Sequence, residues 1–220
     1  MQSILNISKR WLDPVPSFTQ ATTIIIVVLA LESSAFLIKG TFPFSPIYLL
    51  GSVRAADLFI LIFWGPWSFR GIFNRTALKK ALSVTLLFGG PGLLALIFWK
   101  NFLGSSILKW TSELFYQKGL SIVAFYITSC LLSPAAEEFI FRGILYRKLR
   151  VTWNAWICIC IISLLFALIH LTFNGQALVP FLGSLIFCLG YEKTKSILTP
   201  ILLHITGNVI IFSSPFFKFI

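Results

Sequence analysis

Seven carboxylates occur in the 220-residue chain, and four of them, Glu32, Asp57, Glu137 and Glu138, fall inside long apolar stretches. Both histidines, His170 and His204, do so too. Ionisable groups in such stretches are costly and mark sites of function. Three local pairings follow from helical spacing. Arg54 and Asp57 are three apart and share a face, which reads as a structural ion pair. Glu138 and Arg142 are four apart and satisfy each other within one helix. His204 and Asn208 are four apart and face the same way. Glu137 points about 100° from Glu138 on a helix and has no cation on its own face. It is therefore the acid free to hold a water. Glu32 has no obvious local partner, and we assign it no role. A carboxylate and an imidazole can hold and deprotonate one water, and donors aimed at developing negative charge lower the barrier to its attack. Taken alone, each histidine reads as a hydrogen-bonded interior residue. Two histidines, two glutamates, an arginine and an asparagine on three apolar segments are hard to explain as packing.

The elements that must carry these residues are membrane helices. Hydrophobic residues make up 57% of the chain and charged residues 11%; a soluble domain of this size cannot hide so much apolar side chain. Seven stretches approach the 20 or so apolar residues a span needs. They cover roughly 21–38, 46–67, 81–99, 119–146, 153–171, 177–191 and 197–214. The fourth is long and the sixth short, so tilt or a break is expected in each. Gly89-Gly90-Pro91-Gly92 interrupts the third, which reads as a kink filled by neighbouring helices rather than a functional break. The segment 100–118, with Trp110 and Tyr116, is expected along the interface. The net charge of +11 does not point to nucleic acid, because the basic residues lie in short groups between apolar runs. With the N-terminus inside, eleven fall on inner segments: Lys9, Arg10, Arg70, Arg75, Lys79, Lys80, Arg147, Lys148, Arg150, Lys193 and Lys195. Five fall outside, Lys39, Lys100, Lys109, Lys118 and Lys218, while Arg54 and Arg142 lie within spans. This bias places the N-terminus in the cytoplasm and the C-terminus outside. The first span reads as retained rather than as a cleaved signal. Cys130, Cys158, Cys160 and Cys188 read as small buried hydrophobes, with no disulfide or cysteine metal site expected. The expectation is a single all-α domain over 1–220, a polytopic transmembrane bundle of about seven spans around a polar cavity, with its motif-bearing core at about 119–214.

The motifs resemble those of the CPBP family of membrane peptidases, the CAAX-processing and bacteriocin-related (Abi) group that includes the Rce1-type proteases. Its three motifs, Glu-Glu-x-x-x-Arg, Phe-x-x-x-His and His-x-x-x-Asn, stand here as Glu137-Glu138 with Arg142, Phe166 with His170, and His204 with Asn208. The resemblance covers about residues 120–212. It implies a helical bundle around a polar cavity and hydrolysis of a peptide bond within the membrane. Carried over by position, Glu137 and His170 would activate the attacking water, and His204 with Asn208 would stabilise the oxyanion. Glu138, Arg142 and Phe166 would orient the site. Members of the family are often labelled metalloproteases. A metal-free reaction is the favoured reading, since no His-Glu-x-x-His helix is present and a Glu-activated water needs no metal. Should zinc bind, Glu137, His170 and His204 are its ligands.

Helix rise puts Glu137 about 20 Å from Arg150 and His170 about 30 Å from it. The site then lies from mid-membrane toward the outer half, with its cavity opening away from the cytoplasm. The expected substrate is a membrane-anchored protein or peptide, cut near its C-terminus or leader; membrane lipids are the other expected partners. The expected location is the cytoplasmic membrane of a bacterium or archaeon. Two alternatives are a proton- or ion-coupled transporter, weakened by the lack of an inverted repeat, and a non-catalytic Abi-like immunity or binding protein.

Overall fold

The structure is a computed structural model that describes residues 15–41, 46–65, 75–103, 120–174 and 177–213. Among these residues every regular element is helical. The elements are α1 (Phe18–Ile38), α2 (Pro46–Trp64), α3 (Arg75–Leu103), α4 (120–149), α5 (Ala155–Asn174), α6 (Leu178–Thr194) and α7 (Leu198–Ser213). Lys9, Arg10, Arg70, Lys109, Lys118 and Lys218 lie outside the described residues, as does the expected interfacial segment from residue 104 onward, with Trp110 and Tyr116.

Among the described residues, three helices are long and apolar enough to cross a membrane by themselves: α1, α2 and the Ile122–Leu149 part of α4. The Ala155–Leu171 part of α5 and all of α7 are apolar but shorter. Only 17% of the apolar window of α1 and 22% of that of α2 is buried. Their remaining side chains, Phe36 and Leu37 among them, face outward, an arrangement that suits lipid rather than water. The interior is a hydrophobic core that also encloses polar groups: Asp57, Glu138, Arg142, Arg147, Ser163, Ser184 and Thr199 are fully buried. The chain is an integral membrane protein. Cys130, Cys158 and Cys188 are buried, whereas Cys160 is exposed on α5, contrary to its expected burial; all four are free thiols.

α4 is the centre of the bundle. α1, α2, α5 and α7 pack around it, α6 packs on α5 and α7, and α3 lies against α7 and α6. The break expected in this long span takes the form of two π-helical stretches, Ile127–Leu132 and Phe139–Tyr146, on either side of a single α-helical stretch, Ser133–Glu138. Pro134 supplies a cause for the first. It has no N–H to give to the preceding turn and its ring crowds the carbonyl four residues back, so the turn before it widens and Ser133 N–H reaches back to the Thr128 carbonyl. At Gly89-Gly90-Pro91-Gly92, read above as a kink, α3 stays helical with Pro91 inside it. Gly89 instead permits a close approach, since a Cβ there would stand 3.2 Å from Cγ2 of Thr206 on α7.

Helix ends group as the charge pattern requires. Lys148 Nζ, at the end of α4, donates to the Pro16 carbonyl before α1, and Gln20 in α1 donates to the Trp64 carbonyl at the end of α2. Arg150 pairs with Glu192 near the end of α6. At the opposite end, Tyr126 and Ser213 share a hydrogen bond of 3.0 Å between the start of α4 and the end of α7. Successive spans therefore run antiparallel, with the basic ends of α4 and α6 on one side.

Candidate active site

Glu137 and Glu138 sit at the end of the α-helical stretch of α4, between the two π turns. π turns recur at functional sites because they re-aim side chains within a helix. Glu138 is fully buried, and its Oε1 accepts two hydrogen bonds of 2.8 Å, one from Nη1 of Arg142 and one from Nδ1 of His204. Arg142, also fully buried, donates through Nη2 to both the carbonyl and the hydroxyl of Ser184 on α6. Its guanidinium lies 5.1 Å from the ring of Phe166 and 5.3 Å from that of Phe187. A buried charge pair needs partners for its remaining polar atoms; α6 and α7 supply some of them, while Oε2 of Glu138 and Nε of Arg142 are buried without a hydrogen-bond partner among the described residues.

The same two aromatic rings hold the histidines. Phe166 stacks on His170 at 4.3 Å between centroids and meets His204 edge-on at 5.6 Å, while Phe187 stacks on His204 at 4.8 Å. Hydrogen bonding fixes each imidazole as well. His170 Nδ1 stands 2.8 Å from the Phe166 carbonyl, which can only accept, so Nδ1 carries the proton. His204 Nδ1 stands 2.8 Å from Oε1 of Glu138, which also accepts from Arg142, and donates likewise. In their neutral forms both rings then present Nε2 as a lone pair. Those two nitrogens face one atom: Oε2 of Glu137 is 3.9 Å from Nε2 of His170 and 3.9 Å from Nε2 of His204. That oxygen is buried and has no hydrogen-bond partner among the described residues. A gap of this size between polar groups suits a bridging water.

Asn208 lies one turn beyond His204. Its Nδ2 donates to the Ser129 carbonyl in the first π stretch at 2.9 Å, so one of its two amide hydrogens ties α7 to α4. Two contributors escaped the sequence reading, Ser184 and Phe187. They are three apart on α6, which carries none of the motifs, and only their shared face could have hinted at them. Glu32 was left without a partner on the sequence and has one across helices: it pairs with Arg54, which also contacts Asp57 at 3.3 Å.

Zinc ligands at about 2.1 Å in a tetrahedron stand about 3.4 Å apart. Glu137, His170 and His204 offer suitable donor atoms, yet the carboxylate oxygen is half an ångström further than that from each nitrogen. Among the described residues no group of three or more His, Cys, Asp and Glu side chains is disposed to hold a metal. To hold zinc, Glu137 would have to draw about half an ångström closer to each imidazole.

Fold and site together define a polytopic helical membrane protein with a buried carboxylate–imidazole centre. Residues 119–210 match the family described as type II CAAX prenyl endopeptidase Rce1-like. An Escherichia coli relative described as an uncharacterized 24.3 kDa protein is 29% identical over 104 residues. That alignment covers 45% of this chain and 48% of the relative, so the chain spans about half the length of the relative it matches. No solved structure matches.

Proposed function

We propose that the protein is an intramembrane endopeptidase that hydrolyses a peptide bond of a membrane-associated protein, near its C-terminus or leader, with a water activated by Glu137 and His170. The observation that carries this reading is the buried, unpartnered Oε2 of Glu137, equidistant from two imidazole nitrogens whose other ring nitrogens are already committed. A water held by Glu137 and His170 gives a proton to the carboxylate as its oxygen attacks the peptide carbonyl carbon. The carbonyl oxygen becomes an oxyanion facing His204 and the second amide hydrogen of Asn208. With Nδ1–H committed to Glu138, His204 donates to that oxyanion as an imidazolium, whose charge the Glu138 carboxylate balances. When the tetrahedral intermediate collapses, the C–N bond breaks and the proton on Glu137 passes to the leaving nitrogen, giving a carboxylic acid and an amine. The depth of Glu137, about 20 Å by helix rise from the basic end at Arg150, favours a cavity that opens away from that end.

The test is cleavage of a membrane-anchored substrate by the purified chain, compared with Glu137→Ala and His170→Ala. Cleavage should be lost in both, and its persistence in both would sink the assignment. Cleavage should also survive strong chelators; loss that only added zinc restores would overturn the metal-free reaction. Ion or proton flux in liposomes without cleavage would favour a transporter instead.

A further inference from the structure

A second polar site lies away from the motifs, at the basic end of the bundle. The first turns of α3 and the last turn of α6 enclose a cavity of about 400 Å³ lined by Lys79, Lys80, Ser83, Val84, Lys193 and Thr194. Three lysines line it, and none of them has an ion-pair partner among the described residues. The acid adjoining Lys193 in sequence, Glu192, is engaged by Arg150, Tyr146 and Lys195. The cavity is thus an uncompensated cationic pocket with two hydroxyl groups at its wall.

Its floor is firmly built. Gly190 lets α6, α7 and α3 meet closely: a Cβ there would stand 2.9 Å from Leu203 and 3.8 Å from Val84. The Thr194 hydroxyl donates to the Gly190 carbonyl and lies 2.7 Å from the Thr199 hydroxyl. The surroundings point to a lipid rather than a free anion. On α3, Leu86 is one turn beyond Ser83 and Leu87 one turn beyond Val84, and they are 78% and 62% exposed. The helix face that carries the pocket's lysines therefore continues as a bare apolar strip along the span, where an acyl chain would lie.

We propose that this pocket binds the phosphate-bearing headgroup of an anionic phospholipid, with an acyl chain laid along Leu86 and Leu87. Basic pockets between spans recognise such headgroups by charge and by hydrogen bonds to phosphate oxygens. The proposal is independent of the chemistry at Glu137.

Native mass spectrometry of the detergent-purified full chain tests it. The probes are dioctanoyl phosphatidylglycerol, dioctanoyl phosphatidylcholine and glycerol phosphate. The anionic lipid should bind more tightly than either comparator. Lys80→Gln or Lys193→Gln should weaken it about fivefold, and Lys79→Gln/Lys80→Gln/Lys193→Gln on the order of a hundredfold. Lys39→Gln, at the end of α1, controls for net charge and should leave binding unchanged. Equal binding of the two lipids, an unaffected triple variant, or an equal loss in the control would overturn the proposal. Glycerol phosphate binding as tightly as the lipid would overturn the lipid assignment and leave a site for soluble phosphate. The three side chains are exposed, and the single variants keep the test readable should the triple variant fold poorly.

Discussion

Glu137 and Glu138 are adjacent in sequence and differ in every contact that matters. Glu138 is sealed from solvent and shared between Arg142 and His204, whereas Oε2 of Glu137 faces two imidazoles and accepts from neither. The two acids should therefore fail differently. Glu137→Gln keeps the shape and removes the base, so cleavage should fall at least about a hundredfold with the thermal midpoint in detergent little changed. Glu138→Ala strands Arg142 in the interior and should cost about 3–5 kcal/mol, visible as a large drop in that midpoint. Equal loss of stability in both variants would remove the distinction. Half of this was legible in the sequence. The Glu138–Arg142 pair lies within one helix, and a spacing of four encodes it. The His204–Glu138 bond joins residues 66 apart, and no local spacing carries that. The same limit explains Glu32, whose partner Arg54 belongs to another helix.

The existence of the helices was legible because a lipid-facing segment must be apolar almost all round, and that leaves a long compositional trace. Their internal departures from α geometry left only faint traces. Pro134 hints at the first π stretch, nothing marks the second, and Gly89 to Gly92, which read as a kink, leave α3 helical. Those glycines matter through what they approach. At Gly190 three helices meet, and a side chain there would collide with Leu203 at 2.9 Å and Thr199 at 3.1 Å. Gly190→Val should destabilise the bundle by about 1–3 kcal/mol, read as a lower thermal midpoint; an unchanged midpoint would mean that α6 sits more loosely than described. A second link between elements is electrostatic and lies beyond the apolar run of α6. Burial opposes ionisation of Glu192, but hydrogen bonds from Arg150, Lys195 and Tyr146 outweigh it and depress its pKa to about 2. A carboxylate whose folded pKa lies below its unfolded value of about 4.3 stabilises the fold above that value. This contribution is then lost as pH falls from about 4.5 towards 2. Wild type should lose more stability than Glu192→Gln between pH 5 and pH 3, and parallel losses would remove the clamp.

For the whole molecule, the orientation of the bundle decides which compartment meets the site. Pro16, Gln20, Trp64, Lys148, Arg150 and Glu192 are tied together at one end by hydrogen bonds and ion pairs. Lys79, Lys80 and Lys193 line one cavity between two helix ends. The end groups of α1, α2, α4 and α6 are thus linked directly, and α3 begins against the end of α6. Eight of the ten basic residues outside spans among the described residues fall on that side when the segments alternate, Lys39 and Lys100 being the other two. Basic residues are retained on the cytoplasmic side during insertion, so we propose that this end lies in the cytoplasm. Lys39, which closes α1 at the other end, then faces out. The prediction uses single-cysteine variants in a background whose four native cysteines are replaced by serine or alanine. A membrane-impermeant maleimide added to intact cells should label Lys39→Cys, and should label Lys148→Cys only after the membrane is opened. The reverse pattern would invert the bundle. It would carry the lysine pocket to the outer leaflet, bring Glu137 nearer the cytoplasmic face, and make a cytoplasmic substrate the better fit.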